Sequence, residues 1–111
     1  MLRHYVLLTI IACIATPAIA DGDPAKGKVL IKKWYCIECH GLTGNTRSTR
    51  TREVPMLAGQ PAIFLAKRLA EYKTGKHDGL VDWSRMGTLV QGLSEDDMKD
   101  IAAYYEAQKR Y

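Results

Sequence analysis

Cys36-Ile37-Glu38-Cys39-His40 sets two thiols three residues apart and an imidazole directly after the second. Residues three apart on a helical turn share a face, so both thiols would meet one edge of a flat partner, with the imidazole placed beneath it. The chemistry this allows is attachment of a c-type haem, with two thioether links to the porphyrin vinyl groups and ligation of the iron by the histidine. Three other chemistries use part of the pattern. A thioredoxin-like redox pair needs a βαβ setting, whereas this segment follows a helix in an all-helical pattern. A four-ligand zinc site needs a second Cys/His pair, yet His4 and His77 are the only other histidines. A structural disulfide leaves the adjacent His40 without a role.

The elements that must hold this segment are three helices. The first opens with Asp23 as N-cap and Pro24 at the first helical position and runs to about Lys33. Its apolar side reads as Ala25, Val29, Leu30 and Ile31, and Gly27 allows another helix to approach closely. The second runs from Gln60-Pro61 to Thr74-Gly75, with Phe64, Leu65, Leu69 and Tyr72 on one side. The third starts at Ser94, where Asp97 three residues on completes a capping box and Leu93 staples onto Met98. Its buried stripe is Met98, Ile101, Ala102 and Tyr105, with Tyr104 at the edge. Residues 41–59 and 75–92 read as irregular, and no stretch alternates with period two, so the fold class is all-α. Two long loops in so small a domain need something between them, and a flat cofactor supplies it.

The first 20 residues read as a cleaved secretory signal peptide. A short basic start precedes the apolar run Tyr5 to Ile14, Pro17 breaks it, and Ala18-Ile19-Ala20 forms a small-x-small cleavage pattern. The apolar run falls short of the roughly 20 residues that span a bilayer. Ile10-Ile11-Ala12-Cys13 resembles a lipobox, which would anchor the chain through Cys13, although the residues after it stay apolar. Cutting after Ala20 leaves one domain, 21–111, and removes Arg3, so 15 lysines and arginines face 12 acidic residues. That balance lacks the dense basic face of a nucleic-acid binder. With one Phe and two Trp in the whole chain, the core is modest for a domain of this size, and a haem would complete it.

From Ala25-x-Gly27 to Tyr105 the chain resembles the class I c-type cytochromes, especially the short bacterial periplasmic kind. The resemblance rests on Cys36-Ile37-Glu38-Cys39-His40-Gly41, Val54-Pro55-Met56-Leu57-Ala58-Gly59-Gln60, Leu93-Ser94-Glu95-Asp96-Asp97 and Ile101-Ala102-Ala103-Tyr104-Tyr105, in the family's order. It implies the class I cytochrome c fold, three main helices and irregular loops wrapped around one covalently bound haem c, with the outer helices crossing at Gly27 and Tyr104. The chain departs at Ile31, where the family often carries an aromatic residue. Pro55 looks like the family proline whose carbonyl accepts from the proximal histidine, orienting the ring and raising its basicity; read alone, it is a turn proline. Leu57, with Leu69 and Tyr72 from the second helix, would pack on the haem.

For the sixth iron position, Met98 falls inside the capped helix, and Met56 lies beside Pro55 on the proximal side. Met86, in Arg85-Met86-Gly87, occupies the place of the family's distal methionine. His77 is its rival and would give a bis-His haem. A thioether favours ferrous iron and raises the potential relative to bis-His ligation, and a filled position blocks oxygen and substrate. The expected function is therefore single-electron transfer in the periplasm, with His40 and Met86 as axial ligands. Two alternatives remain: the cytochrome subunit of a periplasmic dehydrogenase, and a haem enzyme or gas sensor with an open iron. The partners would be redox proteins, such as a dehydrogenase or terminal oxidase. Arg47, Arg50 and Arg52 are either solvated side chains or a docking surface near the haem edge, where charge raises encounter rate more than affinity.

Overall fold

The computed structural model describes residues 9–12, 22–76 and 83–111. The expected leader, apart from 9–12, lies outside the described residues, as do Cys13 and His77. The described elements, in order, are α1 (Pro24–Lys33), α2 (Cys36–His40), α3 (Ala62–Thr74), α4 (Trp83–Leu89), a 3₁₀ turn (Val90–Gly92) and α5 (Glu95–Glu106). No strand occurs among the described residues. None of their helices is long and apolar enough to cross a membrane.

Helix α1 starts where its residues dictate. The Asp23 carboxylate accepts from the backbone N–H of Ala25 at 2.9 Å, and Pro24 supplies a helix-ready φ. Asp23 also donates its own N–H to the Asp100 carboxylate at 2.7 Å, which ties the start of α1 to α5. The two helices then touch backbone to backbone. A Cβ added to Gly27 would lie 2.1 Å from the Asp100 carbonyl oxygen and 2.8 Å from the Tyr104 Cβ. The Gly27–Tyr104 crossing is thus present.

That contact decides which face of α1 is inside. Gly27 and Ile31 are buried, with Leu30 and Trp34 packed against the core. The expected inner positions Ala25 and Val29 are exposed, Val29 at 66%. Val29 stands two residues, about 200°, around the helix from Gly27, so turning the glycine inward turns the valine out. Ile31, at the departure from the family pattern, is fully enclosed.

Helix α5 shows the expected capping box, with Ser94 Oγ accepting from Asp97 N–H and Ser94 N–H donating to the Asp97 carboxylate, both at 3.0 Å. Leu93 and Met98 are both in the core, as a hydrophobic staple requires. The helix is buried more widely than its stripe suggests, since Ala103 and Tyr104 join Met98, Ile101, Ala102 and Tyr105. Helix α3 has the expected bounds and ends on Gly75 at φ 72°, a left-handed cap. Leu65 is buried, with Leu69 and Tyr72 half-buried, but Phe64 is exposed beside the Arg68 guanidinium.

The second expected loop contains structure. Residues 83–92 form α4 and the 3₁₀ turn, although Gly87 and Thr88 are poor helix formers. Tertiary contacts supply what propensity lacks. The Gln91 amide donates to the carbonyls of Gly87 at 2.8 Å and Lys73 at 3.0 Å, joining the ends of α4 and α3.

Because a backbone carbonyl blocks the space beside Gly27, Gly27→Ala should destabilise the folded protein by about 3 kcal/mol. Ser94→Ala, which removes one cap, should cost about 1 kcal/mol. Denaturant titration of the two variants checks both magnitudes and their order.

Candidate haem centre

Helix α2 is a single turn entered through a sharp change of direction. Tyr35 has φ 62°, the only left-handed non-glycine residue described, and its carbonyl accepts from Glu38 N–H at 3.1 Å. The turn lets the chain leave α1 and immediately begin the Cys36–His40 helix. Cys36 and Cys39 are both free thiols on the wall of one cavity of about 170 Å³, and His40 lines it with them. A smaller, more apolar cavity of about 60 Å³ adjoins it and shares Cys36, His40, Pro55, Leu69, Tyr72 and Met86.

His40 is buried, and its Nδ1 lies 3.2 Å from the Pro55 carbonyl oxygen. A carbonyl only accepts, so Nδ1 carries the proton and Nε2 keeps the lone pair needed to bind iron. Burial holds the imidazole below the ordinary histidine range, partly opposed by the bond to Pro55. The neutral ring is therefore the form present at neutral pH. Burial also pushes the Cys36 thiol up to about 11, with Cys39 adding to it against the lowering effect of a backbone hydrogen bond.

The remaining sequence-derived residues divide clearly. Leu57, Leu69 and Tyr72 line the smaller cavity. Met86 lines both cavities from α4, whereas Met56 and Met98 line neither. The three arginines are all exposed. Arg52 borders the larger cavity, Arg50 is exposed, and Arg47 donates to the Tyr111 carbonyl at 3.3 Å.

A haem fits this donor set. Two thiols, an oriented imidazole and a thioether on α4 line the larger cavity, and apolar side chains make up much of the remaining lining. Trp34 gives an independent test, because it lines the larger cavity and its indole N–H is buried without a hydrogen-bond partner. An orphaned buried donor is costly, and a haem carboxylate is an acceptor that would satisfy it. Arg52 and Arg85 line the same cavity and bring positive charge. Sequence reading missed Trp34 and Arg85, because nothing local marks a residue that faces a cavity formed by distant segments.

A family model described as cytochrome c matches residues 24–108. The chain belongs to the cytochrome c family. Its cofactor is accordingly covalently bound haem c. It is 36% identical to cytochrome c-554(548) of Halomonas halodenitrificans, over 79% of this chain and 99% of that one. It is 39% identical to cytochrome c4 of Pseudomonas aeruginosa, over 83% of this chain but 41% of the relative. The crystal structure of reduced recombinant cytochrome c4 from Pseudomonas stutzeri superimposes with a TM-score of 0.66 at 33% identity, covering 81% of this chain and 47% of that one. This cytochrome thus spans about half the length of the cytochrome c4 relatives it matches. The all-α class I cytochrome c fold is the observed one.

Tyr35 carries a backbone cost that glycine would not, so Tyr35→Gly should raise the unfolding free energy. The left-handed penalty of about 1–2 kcal/mol exceeds the entropic cost of glycine, leaving a net gain of about 0.5–1 kcal/mol. Thermal unfolding of the loaded protein measures it, and Tyr35→Ala, which keeps the penalty, should show no gain.

Proposed function

We propose that this cytochrome is a single-electron carrier whose haem iron is held between His40 and Met86, with Cys36 and Cys39 as the covalent attachment points. The observation that carries the reading is that Met86 alone among the described methionines lines the cavities that His40 lines. The bound haem supplies a one-electron couple. Pro55 orients His40 from behind and raises its basicity through the Nδ1 hydrogen bond. Met86 closes the other side with a soft neutral sulfur, which favours the reduced form and leaves no open position for oxygen or substrate. Leu57, Leu69 and Tyr72 exclude water, which keeps reorganisation on electron transfer small.

The proposal places the mature domain, 21–111, in the periplasm after removal of residues 1–20, supported by the leader-like pattern ending in Ala18-Ile19-Ala20. Its partners are redox proteins that meet the haem edge. Of the three loop arginines, Arg52, at the cavity border with Arg85, is the one best placed to steer an acidic partner, and Arg47 donates to the Tyr111 carbonyl.

Optical spectra test the ligand. The oxidised protein should show a low-spin spectrum with the methionine-to-iron charge-transfer band, and Met86→Ala should lose that band and bind carbon monoxide when reduced. A band retained in the variant overturns the assignment. Met86→His should stay low-spin with a lower potential. For the partner surface, Arg52→Gln should weaken the ionic-strength dependence of reduction by an acidic redox protein more than Arg47→Gln does. Stopped-flow kinetics across a salt series decides between them.

A further inference from the structure

Tyr105 touches the proximal side of the site at three separate points. Its hydroxyl donates to the Gly41 carbonyl at 3.2 Å, and Gly41 is the residue joined to His40. Its ring edge occupies the space where a Gly44 Cβ would stand, 2.7 Å from Tyr105 Cδ1. Its backbone carbonyl accepts from Gly59 N–H at 3.0 Å. These points are the start, an interior position and the end of the loop that contains Pro55. The loop is closed on itself across Gly44, whose carbonyl accepts from Leu57 N–H at 2.9 Å and Ala58 N–H at 3.1 Å.

The consequence concerns the His40–Pro55 bond. One partner of that bond follows α2 and its exit residue Gly41, and the other rides on the 44–59 loop. Tyr105 holds both, and its ring stands 6.5 Å from the imidazole, tilted by 59°. We propose that Tyr105 is a positioning residue for the axial histidine, fixing the length of the His40 Nδ1–Pro55 bond by clamping the segments that carry its two ends. The inference rests on His40 being the iron ligand. Burial keeps the phenol protonated, so the donor persists across the working pH range.

The neighbouring Tyr104 provides the comparison. Its hydroxyl donates to the Leu42 carbonyl at 2.6 Å, a shorter bond to the next residue along. Yet Tyr104 packs against α1 at the Gly27 crossing and lines neither cavity. If tyrosine hydroxyls act only by anchoring α5 to the loop, the two should be equivalent. If Tyr105 acts on His40, they should differ.

The test uses the haem-loaded protein and the variants Tyr105→Phe and Tyr104→Phe, each losing one hydroxyl and keeping its ring. Three quantities are read: the midpoint potential, the hydrogen-exchange rate of the His40 Nδ1 proton by NMR, and thermal stability. A looser His40–Pro55 bond makes the imidazole a weaker donor to iron, so Tyr105→Phe should raise the potential. It should also speed exchange of the ring proton about fivefold, the ratio that one neutral hydrogen bond supports. Tyr104→Phe should lose comparable stability with both other quantities unchanged. A Tyr105→Phe protein that loses stability alone, or whose potential falls, overturns the proposal, as does an equal effect in Tyr104→Phe. Should Tyr105→Phe fail to fold, 3-fluorotyrosine placed at 105 keeps the ring and alters the donor, and an unmoved potential there overturns it equally. Absence in the wild-type protein of the shifted His40 ring signals expected of an iron ligand would instead sink the ligation reading itself.

Discussion

At Gly27 the backbones of α1 and α5 meet with no room for a side chain between them. This contact brings the two ends of the described domain together, and much else depends on it. The helix immediately before the attachment segment is locked against the helix that carries Tyr104 and Tyr105. Because Gly27 must face α5, Ile31 and Trp34 follow it inward at helical spacing, and the chain reaches Cys36 from a defined direction. The tie from Asp23 N–H to the Asp100 carboxylate seals the same junction at its open end.

The site is then built from both sides of that junction. The α1 side contributes the thiols, His40 and the indole of Trp34. The α5 side contributes the wall of the smaller cavity, with Ile101, Ala102 and Tyr105, and the hydroxyls that fasten the start of the proximal loop. Pro55 reaches His40 only because that loop is pinned at Gly41, Gly44 and Gly59. Helix α3 and helix α4 close the remaining side, with Gln91 joining their ends so that Met86 faces inward from a short helix of low intrinsic propensity.

Electrostatics in the site follow from burial. A desolvated imidazole with its one proton committed to Pro55 is neutral and has a single free lone pair. A carboxylate group brought into the larger cavity would meet a lining that holds Trp34 and the arginines at 52 and 85. Arg47, on the same loop as Arg52, donates to the Tyr111 carbonyl.

Local chemistry was legible in the sequence wherever its physical range is short. The Cys36–His40 spacing, the caps at Asp23, Ser94 and Gly75, and the staple of Leu93 onto Met98 each depend on residues within a few positions of one another. They determined where helices begin and end and how the two thiols and the imidazole are spaced. Pro55 and Gly27 were legible through their place in a family pattern. The tertiary structure alone decided how each helix is rotated and what faces the cavity. Val29 and Phe64 are as apolar as their neighbours, but the close contact at Gly27 and the packing of α3 on α5 leave them outside. Residues 83–92 become helical through a glutamine bridging two helix ends. Tyr105, read along the chain as one more core aromatic, becomes the clamp of the proximal loop because a hydroxyl's partner 64 residues away is set only once the helices have docked.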